Sequence, residues 1–232
     1  MQQTTIPTAA RITGALMGAY IGDALALGPH WYYDLNKQRE DFGPWITGYT
    51  QPKRGRYHEG CAAGDLSQAG FILRLTVQSL IESGEYNEAH FTRQMDEVLF
   101  PKLNGLPRSG PGGYTSQSIR EAWKKRVVEK RDWGQVAGFA DTTEAIERTI
   151  AIAARHAFNL NKMAVAVSSN AALTQADPTV LATTTAYNAV LALLIQGHPL
   201  DGDISGRLMD AVQSGVLPFY GAAKDAMDPT PP

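Results

Sequence analysis

The apolar residues of this chain recur at helical spacing in one segment after another, and no pair of alternating segments competes as strands. The clearest segment runs from Ser67 to Ser83 and is followed by Gly84, a residue type that commonly ends helices. This pattern predicts an all-α protein. The apolar positions of that segment are Phe71, Ile72, Leu75, Leu80 and Ile81.

Residues that cap helices mark the starts of several predicted segments. Asn87 is placed to cap one helix, and Asp177 followed by Pro178 is a good start for another. Asp141 and Glu144 have the spacing of a capping box, in which each would bond an amide at the helix start. The predicted helices cover 9–27, 67–83, 87–100, 115–129, 141–157, 160–173 and 177–196, with a short one near 207–214.

Gly14, Gly18 and Gly22 are four residues apart in the first predicted helix, so they share nearly one face. Small residues on one face allow a second helix to approach closely. Arg11 and Asp23 interrupt the segment, which favours packing in a soluble fold over dimerisation in a membrane. No window reaches the roughly 18 apolar residues that a spanning helix needs.

The composition narrows the kinds of partner and compartment. A net charge of -2 predicts neither a nucleic-acid partner nor an anionic membrane surface as partner. The single cysteine, Cys61, excludes an intramolecular disulfide framework, and together with an N-terminus that lacks a signal-peptide pattern it indicates the cytoplasm. Residues 1–232 show no linker, and we expect one domain.

Residues 28–63 carry glycine, proline and aromatic residues without a helical period, which predicts a long connection of a kind that is often functional. His30 and His58 flank its aromatic residues and could move protons near neutral pH, or could be structural. Trp31–Tyr33 and Tyr114 could stack on an adenine, or form core.

Two further features each allow two interpretations. The loop Gly110–Gly113 offers backbone amides that could hold a diphosphate, and it could equally be a plain turn. Asp141 and Thr142 could simply start a helix, or that helix end could bind a phosphate.

Several motifs, taken in order, resemble those of the ADP-ribosylglycohydrolase superfamily. The resemblance covers residues 10–197 and is closest to the branch that contains a lens crystallin. The motifs are Gly18-x-x-x-Gly22-Asp23-Ala24, the acidic position Asp65 before a helix, Gly110-Pro-Gly-Gly-Tyr-Thr115, Ala140-Asp-Thr-Thr-Glu144 and Asn170-Ala-Ala-Leu-Thr174-x-x-Asp177-Pro178.

The resemblance implies a compact, orthogonal multi-helix bundle whose cleft binds ADP-ribose and two Mg²⁺ ions. The family's Thr-Asp-Asp-Thr signature falls on Gly64, Asp65, Leu66 and Ser67, so one carboxylate and one hydroxyl remain. A family acidic position falls near His30. The family's C-terminal Asp-x-Asp segment has no counterpart, which implies a C-terminally short member. We therefore expect no dinuclear Mg²⁺ site, with Asp65 as the one candidate metal ligand.

The resemblance implies hydrolysis of a glycosidic bond to ADP-ribose on a protein or small molecule. Asp23, Asp65 and His30 are the candidate catalytic residues, and we expect Asp23 and Asp65 to face each other across the cleft. Asp23 could also be simply a charged helix-end residue, and Asp65 and Ser67 could equally be an N-cap pair for the next helix. The alternative is an inactive, crystallin-like member that binds a nucleotide or serves as a scaffold. A short C-terminus would expose apolar surface in residues 142–197 and favour self-association. The candidate ligand-binding residues are Ser67, Gly110, Gly112, Gly113, Tyr114, Asp141 and Thr142.

Overall fold

A computed structural model describes residues 6–217 of the chain, and within them the protein is all-helical, as predicted. Short π-helical or 3₁₀ turns follow α4 and α5. The α-helices are α1 (Thr8–Ala26), α2 (Leu35–Phe42), α3 (Gln68–Ser83), α4 (Glu88–Gln94), α5 (Gln117–Trp123), α6 (Ile146–His156), α7 (Leu160–Ala172), α8 (Pro178–Gln196) and α9 (Ile204–Gln213).

Helix α6 lies at the centre of the larger apolar core and packs against α1, α3, α7 and α8. Ile152, Met163 and Val167 are completely buried there. A second core forms on the other side of α3, where Ile72 and Leu75 meet residues of α4, α5 and the turns between them. Helix α3 therefore contributes apolar residues to both cores.

Three predicted helix starts are confirmed by their hydrogen bonds. The side chain of Ser67 accepts from the amides of Ala69 and Gly70 at the start of α3. Asn87 caps α4, and Asp177 caps α8 ahead of Pro178. The local rule that short polar side chains satisfy free amides at helix starts was sufficient at these positions.

The predicted start of α6 at Asp141 was wrong, because the helix begins at Ile146. Glu144 does not complete a capping box. Its carboxylate accepts a hydrogen bond of 3.0 Å from the backbone N–H of Ser118, in the first turn of α5. The amide of Ala145 is instead satisfied by the side chain of Gln175 at 3.0 Å. A partner distant in sequence has replaced the local cap.

Helix α2 lies within residues 28–63, which we predicted to be one long connection. Its sequence, Leu35-Asn-Lys-Gln-Arg-Glu-Asp-Phe42, has apolar residues only at its two ends, so the apolar period that reveals a buried helix is missing. The available signal was Asp34, whose side chain accepts from the amides of Asn36 and Lys37.

The glycine face of α1 is not covered by any helix in the described part of the chain, contrary to our prediction. Gly14, Gly18 and Gly22 are exposed, and a Cβ atom added at each would meet nothing within 4 Å. Helix α1 packs instead through its opposite side, which carries Ile12, Ala15, Leu16, Ala19 and Tyr20.

Helix α8 is long and apolar enough to cross a membrane, whereas we expected no such segment. It spans 19 residues and contains an 18-residue window with a mean hydropathy of 1.5. Half of that window is buried inside the fold, where α8 contacts α1, α6, α7 and α9. Core helices of soluble proteins meet the same criteria, so this is weak evidence for a membrane segment.

Apolar side chains are exposed in two places that bear on self-association. Phe158, Val165 and Tyr187 are 65%, 48% and 48% exposed within the segment where we expected uncovered apolar surface. Met17 and Ile21 add exposed apolar surface beside the glycine face of α1. Self-association remains a prediction.

We predict that Gly18→Ala raises the free energy of unfolding by roughly 0.5–1 kcal/mol, because alanine restricts the unfolded chain and meets no atom in the folded helix. Chemical denaturation monitored by circular dichroism measures the change. A loss of stability would show that the glycine face is covered in solution.

Candidate functional site

The last turn of α1 is joined to the first turn of α3 by hydrogen bonds between Asp23 and Ser67. The backbone N–H of Ser67 donates to Oδ2 of Asp23 at 2.8 Å, and the Ser67 hydroxyl donates to Oδ1. The same hydroxyl oxygen accepts from the amide of Ala69 at 3.0 Å. Ser67 therefore caps α3 and fixes both carboxylate oxygens of Asp23.

Gly70 lies directly against this pair. A Cβ atom added at Gly70 would overlap Oδ2 of Asp23 and lie 3.0 Å from its Cγ. The absence of a side chain at Gly70 is therefore what allows α1 to bring its carboxylate onto the start of α3.

Two adjoining cavities open beside the Asp23–Ser67 contact. The first has a volume of about 230 Å³ and the second about 270 Å³. His30, Ser67, Ala69 and Glu147 line both cavities, so these residues mark the junction between them. Asp23 lines the second cavity, next to that junction.

Aromatic side chains form one wall of the first cavity. The Trp31 ring stacks on His30 at 4.1 Å and meets Tyr57 and Tyr114 edge-on, each at 4.5 Å between ring centroids. Trp31 has a φ of 58°, a left-handed conformation that is rare outside glycine. Its backbone oxygen accepts from the Arg56 guanidinium at 3.2 Å. This part of the predicted connection is therefore an ordered wall.

The three residues Trp31–Tyr33 do not act together. Trp31 lines the first cavity, Tyr32 is buried and donates its hydroxyl to Asp41 at 2.7 Å, and Tyr33 is 89% exposed. Stacking and core formation were the two interpretations of this cluster, and the structure gives Trp31 the position for the first and Tyr32 the position for the second.

The opposite side of the site is formed by charged residues at the start of α6, which we did not identify from the sequence as site residues. Glu144, Glu147 and Arg148 all line the first cavity. Glu147 is exposed where it faces the cavities, whereas the protein that surrounds its carboxyl group limits hydration of the charge. Burial, together with the negative charges of Glu144 and Asp23, raises the pKa of Glu147 to about 7, and Arg148 opposes this shift.

Arg148 is almost completely buried, with only 2% of its surface exposed. Its guanidinium donates to the side-chain and backbone oxygens of Asn170 at 2.7 and 2.9 Å, and to the Thr174 hydroxyl at 3.0 Å. Burial lowers the pKa of Arg148 to about 10, so the group still carries its charge at neutral pH. Asn170 and Thr174 belong to a motif that carried the family resemblance, which was the available signal.

The structure brings five of the predicted site residues to the cavities, namely Asp23, His30, Ser67, Tyr114 and Thr142. It does not bring Asp65 there, although we expected Asp65 to face Asp23. The Asp65 carboxylate accepts from the amide of Ala62 at 2.7 Å in an exposed turn. That local turn, rather than a shared cleft, fixes the side chain of Asp65. Asp141 is also exposed and outside the cavity lining.

Gly110, Gly112 and Gly113 do not line either cavity. Gly112 lies against Ser67, and Gly113 lies against His58. Gly112 has a φ of 74°, and a Cβ atom there would lie 2.5 Å from the Ser67 carbonyl carbon. The Gly112 backbone therefore packs against the start of α3, which explains the glycine without a bound diphosphate.

Within residues 6–217, no group of three or more His, Cys, Asp or Glu side chains is arranged to hold a metal ion. Asp65, the predicted ligand, points into its own turn, and its neighbour Leu66 supplies no oxygen. The described residues therefore do not fit a Mg²⁺ site of the family type.

Comparison with known proteins assigns the chain to a family. The model of the ADP-ribosylglycohydrolase family matches residues 4–228, which is nearly the whole chain, and the protein belongs to that family. No curated protein matches it. Membership of the family supports a hydrolase-like function in general. Members of the family act on ADP-ribosylated substrates and are generally metal-dependent.

We predict that Gly70→Ala lowers the free energy of unfolding by roughly 1–3 kcal/mol, because the new methyl group forces Asp23 away from the start of α3. Denaturant unfolding measures the change, with Gly18→Ala as the matched helical glycine that has free space. Equal stability of the two variants would contradict the close approach of Asp23.

The pKa of Glu147 predicts a pH dependence of stability. Because folding raises this pKa from 4.5 to about 7, the folded protein binds more protons than the unfolded chain between these values. The free energy of unfolding therefore falls as pH rises through this window. A glutamine at position 147 cannot titrate, so Glu147→Gln lacks this pH dependence. The melting temperature of the variant minus that of the wild type should therefore increase from pH 4.5 to 7 and stay constant above pH 7.

The control is Glu85→Gln, for which we expect the opposite sign. A hydrogen bond from Lys162 lowers the pKa of Glu85, so the wild type gains stability as pH rises through the acidic range and the variant does not. A melting-temperature difference for Glu147→Gln that does not vary with pH would contradict the account of Glu147.

Proposed function

We propose that the protein hydrolyses a glycosidic bond to ADP-ribose on a modified protein or a small molecule. The observation that carries this proposal is the meeting of Asp23 and Glu147 at two adjoining cavities in a chain of the ADP-ribosylglycohydrolase family. The second cavity, which both residues line, lies between α1, α3 and α6, which are packed against one another, so both carboxyl groups project from a rigid scaffold.

Hydrolysis of a glycosidic bond commonly uses one group that gives a proton to the leaving oxygen and one carboxylate that acts on the sugar or on water. Glu147 suits the first role, because its pKa of about 7 leaves much of it protonated at neutral pH. Asp23 suits the second, because two donors from Ser67 hold its oxygens in place. His30 lines both cavities and lies beside this pair.

The two walls of the first cavity match different parts of ADP-ribose. Trp31 and Tyr114 offer ring surfaces on which an adenine could stack. Arg148 carries a buried positive charge at the same cavity and has no carboxylate ion-pair partner in the described part of the chain. We propose that it attracts the diphosphate.

Mg²⁺ enters the proposal only as a condition of the assay. The family is generally metal-dependent, whereas the described residues do not assemble a metal site. We therefore assign no step to a metal, and activity is to be measured both with Mg²⁺ and with a chelator.

We predict that Asp23→Asn and Glu147→Gln each lower kcat by about 10²-fold or more on an ADP-ribosylated protein or an ADP-ribose glycoside, since positioned proton-transfer groups contribute factors of this size. Both replacements preserve the shape of the side chain. Glu97→Gln, on an exposed turn away from both cavities, is the control and should keep wild-type turnover. Wild-type protein that shows no turnover at any Mg²⁺ concentration contradicts the hydrolase proposal.

The second candidate is an inactive, crystallin-like member that binds a nucleotide or acts as a scaffold. The observation that favours it is the placement of Asp65 outside the cavities, beside a leucine where active relatives are expected to carry a second aspartate. Calorimetric titration with ADP-ribose separates the cases. Binding without turnover supports a binding module, and absence of both leaves only the scaffold.

A further inference from the structure

His30 and His58 form a hydrogen-bonded pair at the cavity, with their rings nearly coplanar and meeting edge to edge. Nδ1 of His30 lies 2.7 Å from Nε2 of His58, and the ring centroids are 4.9 Å apart. Nδ1 of His58 lies 2.5 Å from the carbonyl oxygen of Gly112. Three groups are thus connected in a row, from the glycine loop through His58 to His30.

The carbonyl group of Gly112 determines which atom donates in each hydrogen bond of this row. The carbonyl oxygen of Gly112 can only accept, so Nδ1 of His58 carries a proton. With both imidazoles neutral, Nε2 of His58 then holds a lone pair and accepts from His30. Nδ1 of His30 is therefore the protonated nitrogen of that ring, and its Nε2 holds a lone pair.

The free nitrogen of His30 is available to a bound molecule. His30 lines both cavities, and within residues 6–217 its Nε2 makes no hydrogen bond and is not closed off from the cavity space. The charged groups that line the same space are Asp23, Glu144, Glu147 and Arg148. Burial and the neighbouring His58 lower the pKa of His30 to about 4, so the lone pair persists at neutral pH.

The surroundings hold both rings in place. His58 is only 3% exposed, and Trp31 stacks on the face of the His30 ring at 4.1 Å between centroids. A Cβ atom at Gly113 would lie 3.0 Å from the Cα of His58, so the glycine loop packs closely against His58. These contacts, together with the hydrogen bond to Gly112, orient the two rings and with them the lone pair of His30.

We propose that His58 is a positioning residue that locks His30 in its Nδ1-protonated form, so that Nε2 of His30 accepts a hydrogen bond from a hydroxyl group of the bound sugar. The identity of the sugar as the ribose of ADP-ribose rests on the proposed function. The locked form of His30 does not, because it follows from the protein alone.

The locked form is measured by ¹⁵N NMR of the histidine side chains of the full chain at pH 8. Correlation spectra identify which nitrogen of each ring carries the proton. We expect Nδ1–H for both His30 and His58. Protonation of His30 at Nε2 would overturn the proposal.

Two variants of His58 test the coupling between the rings. His58→Asn keeps a donor for the Gly112 carbonyl but ends short of His30, and His58→Phe removes both bonds. In each, we expect His30 to shift toward protonation at Nε2, while amide spectra report whether the fold persists. His90, which bonds Ser79 and the carboxylate of Glu82 away from the cavities, provides the control variant His90→Asn. An unchanged His30 in folded His58→Asn would overturn the positioning role.

Addition of ADP-ribose tests the sugar contact. We expect the Nε2 resonance of His30 to move as it accepts a hydrogen bond, with a smaller change at Nδ1. If ADP-ribose shifts other site residues but leaves Nε2 of His30 unchanged, the sugar contact is overturned. If it shifts nothing, the proposed function fails and the sugar contact fails with it, while the spectrum of the free protein still decides the locked form.

Discussion

The contact between Asp23 and Ser67 is the constraint on which the site depends. Asp23 lies in the last turn of α1, where the helix dipole disfavours a negative charge. The start of α3 compensates, because the backbone amide and the hydroxyl of Ser67 both donate to the carboxylate. A carboxylate that is unfavourable on its own helix is therefore stabilised by the positive end of another helix.

This contact also sets the shape of the cavities. Gly70 lets α1 approach, and Gly112 lets the glycine loop pack behind Ser67. With α1 and α3 fixed in this way, the start of α6 brings Glu147 to the space shared by the two cavities. The raised pKa of Glu147 is a consequence, since the surrounding protein limits hydration of its carboxyl group and Glu144 and Asp23 place negative charge beside it.

The sequence was sufficient for most of the fold because the buried helices carry an apolar period and clear caps, as at Ser67 and Asp177. It was insufficient for α2, which buries too little apolar surface to show a period. The predicted start of α6 was wrong because Gln175, which is distant in sequence, replaces the expected local cap.

The site was predictable only where the chemistry is local. Asp23 lies in a motif that can be read along the chain, His30 flanks the aromatic residues of 28–63, and both reach the cavities. Glu147 could not be identified, because its importance comes from the packing of α6 against α1 and α3. Asp65 looked like a site residue from its position in a signature, but a single turn redirects its carboxylate to the amide of Ala62.

A double-mutant cycle on Asp23 and Ser67 tests the central claim most directly. The free energy of unfolding is measured for the wild type, Asp23→Ala, Ser67→Ala and the double variant. Hydrogen bonds to a charged group predict a coupling free energy of about 1.5–3 kcal/mol between the two replacements. Effects that add to within about 0.5 kcal/mol would show that the two residues act independently and would contradict the account.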